Sequence, residues 1–208
     1  MNRTVFTLPA RGEYQTRGGL AVTRVVEHFS GGANRLDALI ELLDRRPGVV
    51  LSSGTTVPGR YESFDLGFSD PPLALETSGA NFALKALNAR GEVLIAFLAD
   101  TLREPCVVVT ETSASRLAGH ILRGAAPVEE DQRTRRASVM SLVRDLVSVF
   151  GANDDALLGL FGAFAYDLVF QIEISCGSAR ARPINATSFF SCPIGCWPMT
   201  APPLAAPC

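Results

Sequence analysis

The chain lacks most of the features that place a sequence in a common functional class on sight. Its 19 Lys and Arg residues nearly balance 21 Asp and Glu residues, which gives a formal net charge of −2. Such a balance offers no extended basic surface to nucleic acid or to acidic lipids. The basic cluster at residues 133–136 directly follows the acidic residues 129–131, a pattern typical of a solvated helix start. We therefore predict no nucleic-acid partner.

Long hydrophobic runs are absent as well. The first 19 residues contain no continuous apolar segment, so they do not resemble a secretory signal. The longest apolar run, residues 156–166, is too short to span a bilayer, and Asp167 ends it. These features predict no membrane partner and a cytoplasmic localisation.

Motifs of nucleophilic catalysis and of phosphate binding are not found in the sequence. It contains neither a Gly-x-Ser-x-Gly elbow nor a Walker or Rossmann glycine pattern. His28 and His120, its two histidines, lie in strand-like segments, where structural roles are more frequent than catalytic ones. Asp154 and Asp155 directly follow a predicted helix, which favours a solvated turn. We predict no catalytic residue in this chain.

The cysteines are unevenly distributed. Cys106 lies in an apolar, strand-like run, where a small buried thiol is the ordinary structure. The other four fall in the last 33 residues. Cys192 and Cys196 have a spacing found in zinc ligand pairs, but Cys176 and Cys208 flank them and do not form a second close pair. The spacing therefore disfavours zinc, and we expect no metal or other cofactor in this chain.

Strand patterns dominate the first 173 residues. Alternating or continuous β-branched and aromatic residues predict strands at residues 20–29, 49–51, 61–68, 73–76 and 106–112. Residues 83–87 and 93–97 predict a hairpin, because Asn88 and Gly91 between them favour a tight turn.

Two segments have a helical period. The first begins at Asn34 as a predicted N-cap, and its apolar stripe consists of Leu36, Leu39, Ile40 and Leu43. The second covers residues 135–150, and its apolar stripe consists of Val139, Leu142, Val143, Leu146, Val147 and Phe150. Residues 157–165 predict a buried element that is either strand or helix. Hairpin-joined strands with inserted helices predict an α+β domain with a mostly antiparallel sheet.

The last 35 residues differ from the rest. From Ile174 onward the charged residues are Arg180 and Arg182, and six of the 13 prolines lie here. No stretch of this tail has a helix or strand period, and its prolines would interrupt either element. We therefore divide the chain into residues 1–173 and an irregular C-terminal tail at residues 174–208.

One turn has the composition of a small-ligand site. The strand Val50-Leu51 runs into Ser52, Ser53 and Gly54, which together offer hydroxyl groups and backbone N–H groups to a small polar ligand. An ordinary turn is the more frequent outcome of such a sequence on local grounds.

The same region carries a resemblance to a known family. Four stretches in the same order resemble component I of anthranilate synthase, in the bacterial form fused to its glutamine amidotransferase: RRPGVVLSSGTTVPGRYESFDLGFSDPPL, ALNARGEVL, TETSASRLAGHI and LGLFGAFAYDLVFQIE. The resemblance covers residues 14–173. It implies that residues 1–173 are the N-terminal regulatory region, an incomplete part of the sandwich of chorismate-utilising enzymes.

The resemblance also implies a function. The full enzyme converts chorismate to anthranilate with Mg²⁺ and with ammonia from glutamine, the first committed step of tryptophan biosynthesis. Its N-terminal region binds tryptophan as a feedback inhibitor around a Leu-Leu-Glu-Ser motif. The matching residues here place Leu51 at a leucine and Ser53 at the serine, whereas Ser52 departs from the glutamate. We predict a remnant allosteric tryptophan site at Leu51, Ser52, Ser53 and Gly54, without direct recognition of the ligand's ammonium group by residue 52.

The family's catalytic residues belong to a later, chorismate-binding portion, and nothing in this sequence resembles that portion. The resemblance therefore predicts a regulatory fragment that is inactive alone and whose partners are L-tryptophan, the chorismate-binding portion and the amidotransferase. A stand-alone amino-acid sensor is the alternative. For the tail we predict a reading-frame slip, because residues 183–200, back-translated with GC-rich codons and shifted by two bases, encode a charged strand-like segment.

Overall fold

The structure of the chain is a computed structural model. It describes residues 11–27, 32–52, 65–102, 104–122, 137–153, 155, 157–168, 190–191 and 197–199. His28, Ser53 and Gly54 lie outside these residues, as do Cys176, Cys192, Cys196 and Cys208.

Eleven strands and three α-helices are formed by the described residues. The strands are β1 (Arg11–Gln15), β2 (Ala21–Val25), β3 (Gly48–Ser52), β4 (Asp65–Ser69), β5 (Leu73–Ser78), β6 (Asn81–Ala86), β7 (Val107–Thr112), β8 (Arg116–Ile121), β9 (Phe161–Gly162), β10 (Phe190–Ser191) and β11 (Trp197–Met199). The helices are α1 (Gly32–Leu43), α2 (Ala89–Thr101) and α3 (Val139–Phe150). A single 3-10 turn forms at Tyr166–Leu168.

These strands form three sheets. A six-stranded sheet has the order β7-β8-β6-β5-β10-β9, a three-stranded sheet has the order β11-β4-β3, and β1 pairs with β2 alone. Every pairing is antiparallel. The predicted α+β class with a mostly antiparallel sheet is confirmed.

The main core lies between the six-stranded sheet and two helices. Leu94, Ile95 and Leu98 of α2 and Leu142 of α3 share one buried cluster with sheet residues such as Leu75. Each of these side chains is almost fully removed from water. Burial of this kind stabilises a fold by roughly 25 cal/mol per Å² of apolar surface, so the contact between helices and sheet stabilises the domain.

The predicted hairpin at residues 83–97 is wrong, because its second half is helix α2. Asn88 caps this helix, and its side chain accepts a hydrogen bond from the Gly91 N–H at 3.2 Å. Gly91, Leu94 and Leu98 are buried at helical spacing on the face that packs against the sheet. The partners of β6 are β5 and β8, which leaves no free sheet edge for residues 93–97.

Several smaller predictions need correction. Helix α1 begins at Gly32, two residues before the predicted cap Asn34, and Ile40 of its predicted stripe is exposed. In α3 the buried face includes Val149, whereas Val147 is exposed. Residues 157–168 form no continuous element beyond β9 and the 3-10 turn, and Phe164 is 48% exposed.

The tail contributes two short strands despite its proline content. Phe190–Ser191 pairs with both β5 and β9, and Trp197–Met199 pairs with β4. Its other residues lie outside the described ranges. In the part of the chain that the structure describes, no helix has the length and apolar character needed to cross a lipid bilayer.

Candidate functional site

The predicted ligand site begins at the end of the β3–β4 pair. Ser52 is the last residue of β3 and lies directly opposite Asp65, the first residue of β4. The Ser52 hydroxyl donates a hydrogen bond to Asp65 Oδ1 at 2.6 Å. Leu51 is 48% exposed, which is a large fraction for a strand leucine. Two of the four predicted residues are therefore placed at an accessible strand end.

The pleat of the strand separates the side chains of these two residues. Successive side chains point to opposite faces of a strand, so Ser52 shares its face with Val50, and Leu51 points the other way. On β4 the face of Ser52 continues through Asp65 and Gly67. A ligand that contacts the Ser52 hydroxyl in this strand pair therefore meets Asp65 before it meets Leu51.

Helix α1 packs against the part of this face that lies at Gly67, two residues along β4 from Asp65. A methyl group at Gly67 would lie 2.5 Å from Leu39 Cδ2, so the glycine permits the close approach of the helix. The opposite face of β4 is buried through Leu66 and Phe68. The Phe68 ring packs edge-on against Phe161, with 5.4 Å between the ring centroids. Both faces of β4 therefore pack against other parts of the domain.

Asp65 differs from the nearby acidic residues Asp70 and Glu76 because it has no cationic partner among the described residues. Asp70 accepts from the Arg46 guanidinium at 2.7 Å, and Glu76 is paired with the Lys85 ammonium at 2.5 Å. Within the described ranges, the partner of Asp65 is the Ser52 hydroxyl, and the carboxylate takes part in no ion pair. A carboxylate that accepts one neutral hydrogen bond has remaining capacity for a cationic partner.

A second polar cluster surrounds Asp155. The prediction that this residue lies in a solvated turn is wrong, because it is 2% exposed. Its carboxylate accepts from the Tyr14 hydroxyl and pairs with the Arg24 guanidinium. It also accepts from the backbone N–H groups of Leu157 at 2.9 Å and Leu158 at 3.2 Å. The cluster fastens the β1–β2 hairpin to the segment that follows α3.

Sequence reasoning missed this cluster because its members are far apart in the chain. Tyr14 and Asp155 are separated by 141 residues. No local pattern pairs an aspartate in a polar turn with an arginine on a distant strand. Its role is structural, because the buried Asp155 carboxylate pairs with Arg24 and accepts hydrogen bonds from Tyr14, Leu157 and Leu158, which joins segments that are distant in the chain.

Cys106 and His120 have the surroundings of structural residues, whereas one carboxylate oxygen of Asp145 on α3 is buried without a hydrogen-bond partner among the described residues. Cys106 is a free, half-buried cysteine that precedes β7, and burial raises the pKa of its thiol, with a further rise from the nearby Glu104 carboxylate. His120 lies on β8 opposite Asn81 and Val108. The described residues include no group of three or more His, Cys, Asp or Glu side chains placed to hold a metal ion.

Fold and site together define a mostly antiparallel α+β domain with an accessible polar strand end. Compared with known proteins, the chain is 44% identical to anthranilate synthase from Azospirillum brasilense over 161 residues. No protein-family model matches the chain. The shared segment is 77% of this chain and 22% of the relative, so the chain spans about a fifth of the relative's length. The resemblance to anthranilate synthase predicted from the sequence is confirmed.

Proposed function

We propose that this chain provides the regulatory part of an anthranilate synthase: it binds L-tryptophan and does not convert chorismate by itself. The observation that carries the proposal is the 44% identity over 161 residues, which relates most of this chain to a limited part of a much longer enzyme. An identity of this extent supports a shared fold and a shared use of the segment.

The proposed tryptophan site is the end of β3 and the residues that follow it. Because Leu51 and Ser52 lie on opposite faces of β3, one ligand would contact both from the end of the strand, where Leu51 supplies exposed apolar surface for an indole ring and Ser52 supplies a hydroxyl. Ser53 and Gly54 are part of the proposal from the sequence and lie outside the described residues. Support for the site comes from its accessibility and from the firm packing beneath it.

The proposal assigns the chemistry of the whole enzyme to other polypeptide. Conversion of chorismate and glutamine to anthranilate would require a chorismate-binding portion, which would also bind Mg²⁺, and a glutamine amidotransferase as partners. In the described part of this chain, the Asp155 carboxylate is engaged in a buried ion pair with Arg24 that supports the fold. Asp70 and Glu76 form solvent-accessible ion pairs, which contribute little to stability.

The test uses the purified full chain in two assays. Anthranilate fluorescence is followed with chorismate, ammonia and Mg²⁺, and the expected result is no product above the uncatalysed rate. Equilibrium dialysis with L-tryptophan is expected to give saturable binding, with L-alanine as the matched control that lacks the indole. Product formation in the first assay, or equal retention of both amino acids in the second, would contradict the proposal.

A further inference from the structure

We propose that Asp65 provides the carboxylate that receives the ammonium group of the amino-acid effector, and that the Ser52 hydroxyl orients it. This inference rests on the proposed function and assigns a specificity-determining residue to that site. It places the recognising charge on β4, opposite the strand β3 on which the resemblance predicts the tryptophan motif.

Register brings the two side chains together. Ser52 and Asp65 are a directly opposed pair on neighbouring antiparallel strands, and such side chains share one face within reach of each other. The hydrogen bond of 2.6 Å from Ser52 Oγ occupies Asp65 Oδ1. A carboxylate has about four acceptor positions on two oxygens, so Oδ2 keeps the capacity to accept from an ammonium group.

Burial strengthens the contact that Asp65 can make. Asp65 is half-buried, whereas Ser52 beside it is exposed, and the hydrogen bond between their side chains is open to solvent. Charges near a protein surface attract each other more strongly than charges in bulk water, because the effective dielectric constant is lower. An ammonium group that binds from solvent would therefore meet a surface carboxylate that the Ser52 hydroxyl holds in place.

Charge also explains the residue at position 52. Two carboxylates directly opposite each other on paired strands repel and destabilise the pair. With Asp65 on β4, an acidic residue at the end of β3 would create that repulsion, whereas a hydroxyl relieves it by donating a hydrogen bond. The serine and the aspartate thus act as one unit that carries a single negative charge.

The experiment measures how strongly the site prefers an amino group. Calorimetric titrations of the full chain compare L-tryptophan with indole-3-propionate, which lacks the ammonium group. Asp65→Ser is the main variant, and the exchange variant Ser52→Asp with Asp65→Ser returns the carboxylate from the opposite strand. Glu111→Gln removes one exposed carboxylate at a distance and serves as the matched control. Circular dichroism confirms that each variant folds.

The expected result is a selective loss followed by rescue. Asp65→Ser weakens L-tryptophan binding about 10- to 100-fold, the usual range for losing a charge-assisted hydrogen bond, and leaves indole-3-propionate binding unweakened. Glu111→Gln changes neither. The exchange variant regains the preference for L-tryptophan. If Asp65→Ser does not fold, the exchange variant decides alone, since it retains an aspartate–serine pair.

Three outcomes would overturn the inference. Undiminished L-tryptophan binding by Asp65→Ser would reject Asp65 as the ammonium acceptor and leave the proposed function standing. Equal weakening of both ligands would assign Asp65 a purely structural role. A wild-type chain that binds neither ligand would reject the proposed function and this inference together.

Discussion

Asp155 offers the sharpest test of how this domain is held together. Replacing it by alanine removes a carboxylate that is 2% exposed and that pairs with Arg24. One guanidinium nitrogen of Arg24 is already buried without a hydrogen-bond partner, so Asp155 is the compensating charge among the described residues. The variant would leave this cation buried and unpaired, and would also free the backbone N–H groups of Leu157 and Leu158.

The expected loss can be estimated from these contacts. Breaking a buried ion pair by removing one partner costs about 3–5 kcal/mol of unfolding free energy. In a chain of this size each kcal/mol lowers the melting temperature by about 2–4 °C, so Asp155→Ala should lower it by about 6–20 °C. Urea unfolding followed by circular dichroism measures the free energy independently.

Two further variants make the test specific. Tyr14→Phe removes one neutral donor to the same carboxylate and should cost about 1 kcal/mol. The double variant Arg24→Met with Asp155→Leu removes both charges and should be less destabilised than Asp155→Ala alone. A loss below about 1 kcal/mol for Asp155→Ala, or a double variant that is worse than the single one, would refute the reasoning.

Three other predictions follow from the packing and the tail. Gly91→Ala should cost about 1–3 kcal/mol in urea unfolding, because its methyl group would collide with the Pro72 carbonyl oxygen, whereas Gly159→Ala, with open space around it, should change stability by less than about 0.5 kcal/mol. Burial raises the pKa of the Cys106 thiol, so its thiolate fraction at pH 7 is low. Alkylation of Cys106, followed by peptide mass analysis, should therefore be slower in the folded chain than in urea and should accelerate as the pH rises. Equal alkylation rates in the folded and the unfolded chain would contradict this prediction. Deleting residues 174–208 should lower the melting temperature by less than about 5 °C, because β10 and β11 add only short pairings, and a larger drop would contradict this expectation. The DNA after codon 173 should encode a strand-like segment in another reading frame, and the lack of such a frame would contradict the predicted reading-frame slip.

Local patterns predicted the elements that are strongly periodic. The α3 stripe places Val139, Leu142 and Leu146 on the core face, and a 3.6-residue period suffices to find them. The structure buries Val149 and exposes Val147 at the edge of that face, and this choice depends on which neighbours the helix packs against. Strands β3, β5 and β7 were located to within a residue or two, because β-branched runs between turn residues are distinctive.

Helix α2 was missed because the four residues from Asn88 to Gly91 are compatible with either of two structures. Asparagine before a glycine-containing stretch favours either a hairpin turn or a helix N-cap. Tertiary pairing decides between them, since β6 is occupied on both sides by β5 and β8. The i, i+3, i+7 spacing of Gly91, Leu94 and Leu98 was the sequence signal that favoured the helix, and the structure buries these three residues.

The sequence predicted two of the described residues of the candidate site, Leu51 and Ser52, and did not predict Asp65. Leu51 and Ser52 were located at a strand end from composition and from the resemblance. Asp65 was not, because its position opposite Ser52 depends on the register of β3 against β4 across a connection of a dozen residues. Cross-strand partners become predictable once the pairing is known, and a single sequence does not specify that pairing.

The most direct test of the proposed function is a calorimetric titration of the folded, full-length chain with L-tryptophan. The account predicts saturable binding at a stoichiometry near one, with D-tryptophan bound more weakly because its ammonium group is misdirected relative to Asp65. A folded chain that releases no binding heat and shows no thermal shift at millimolar L-tryptophan would contradict it.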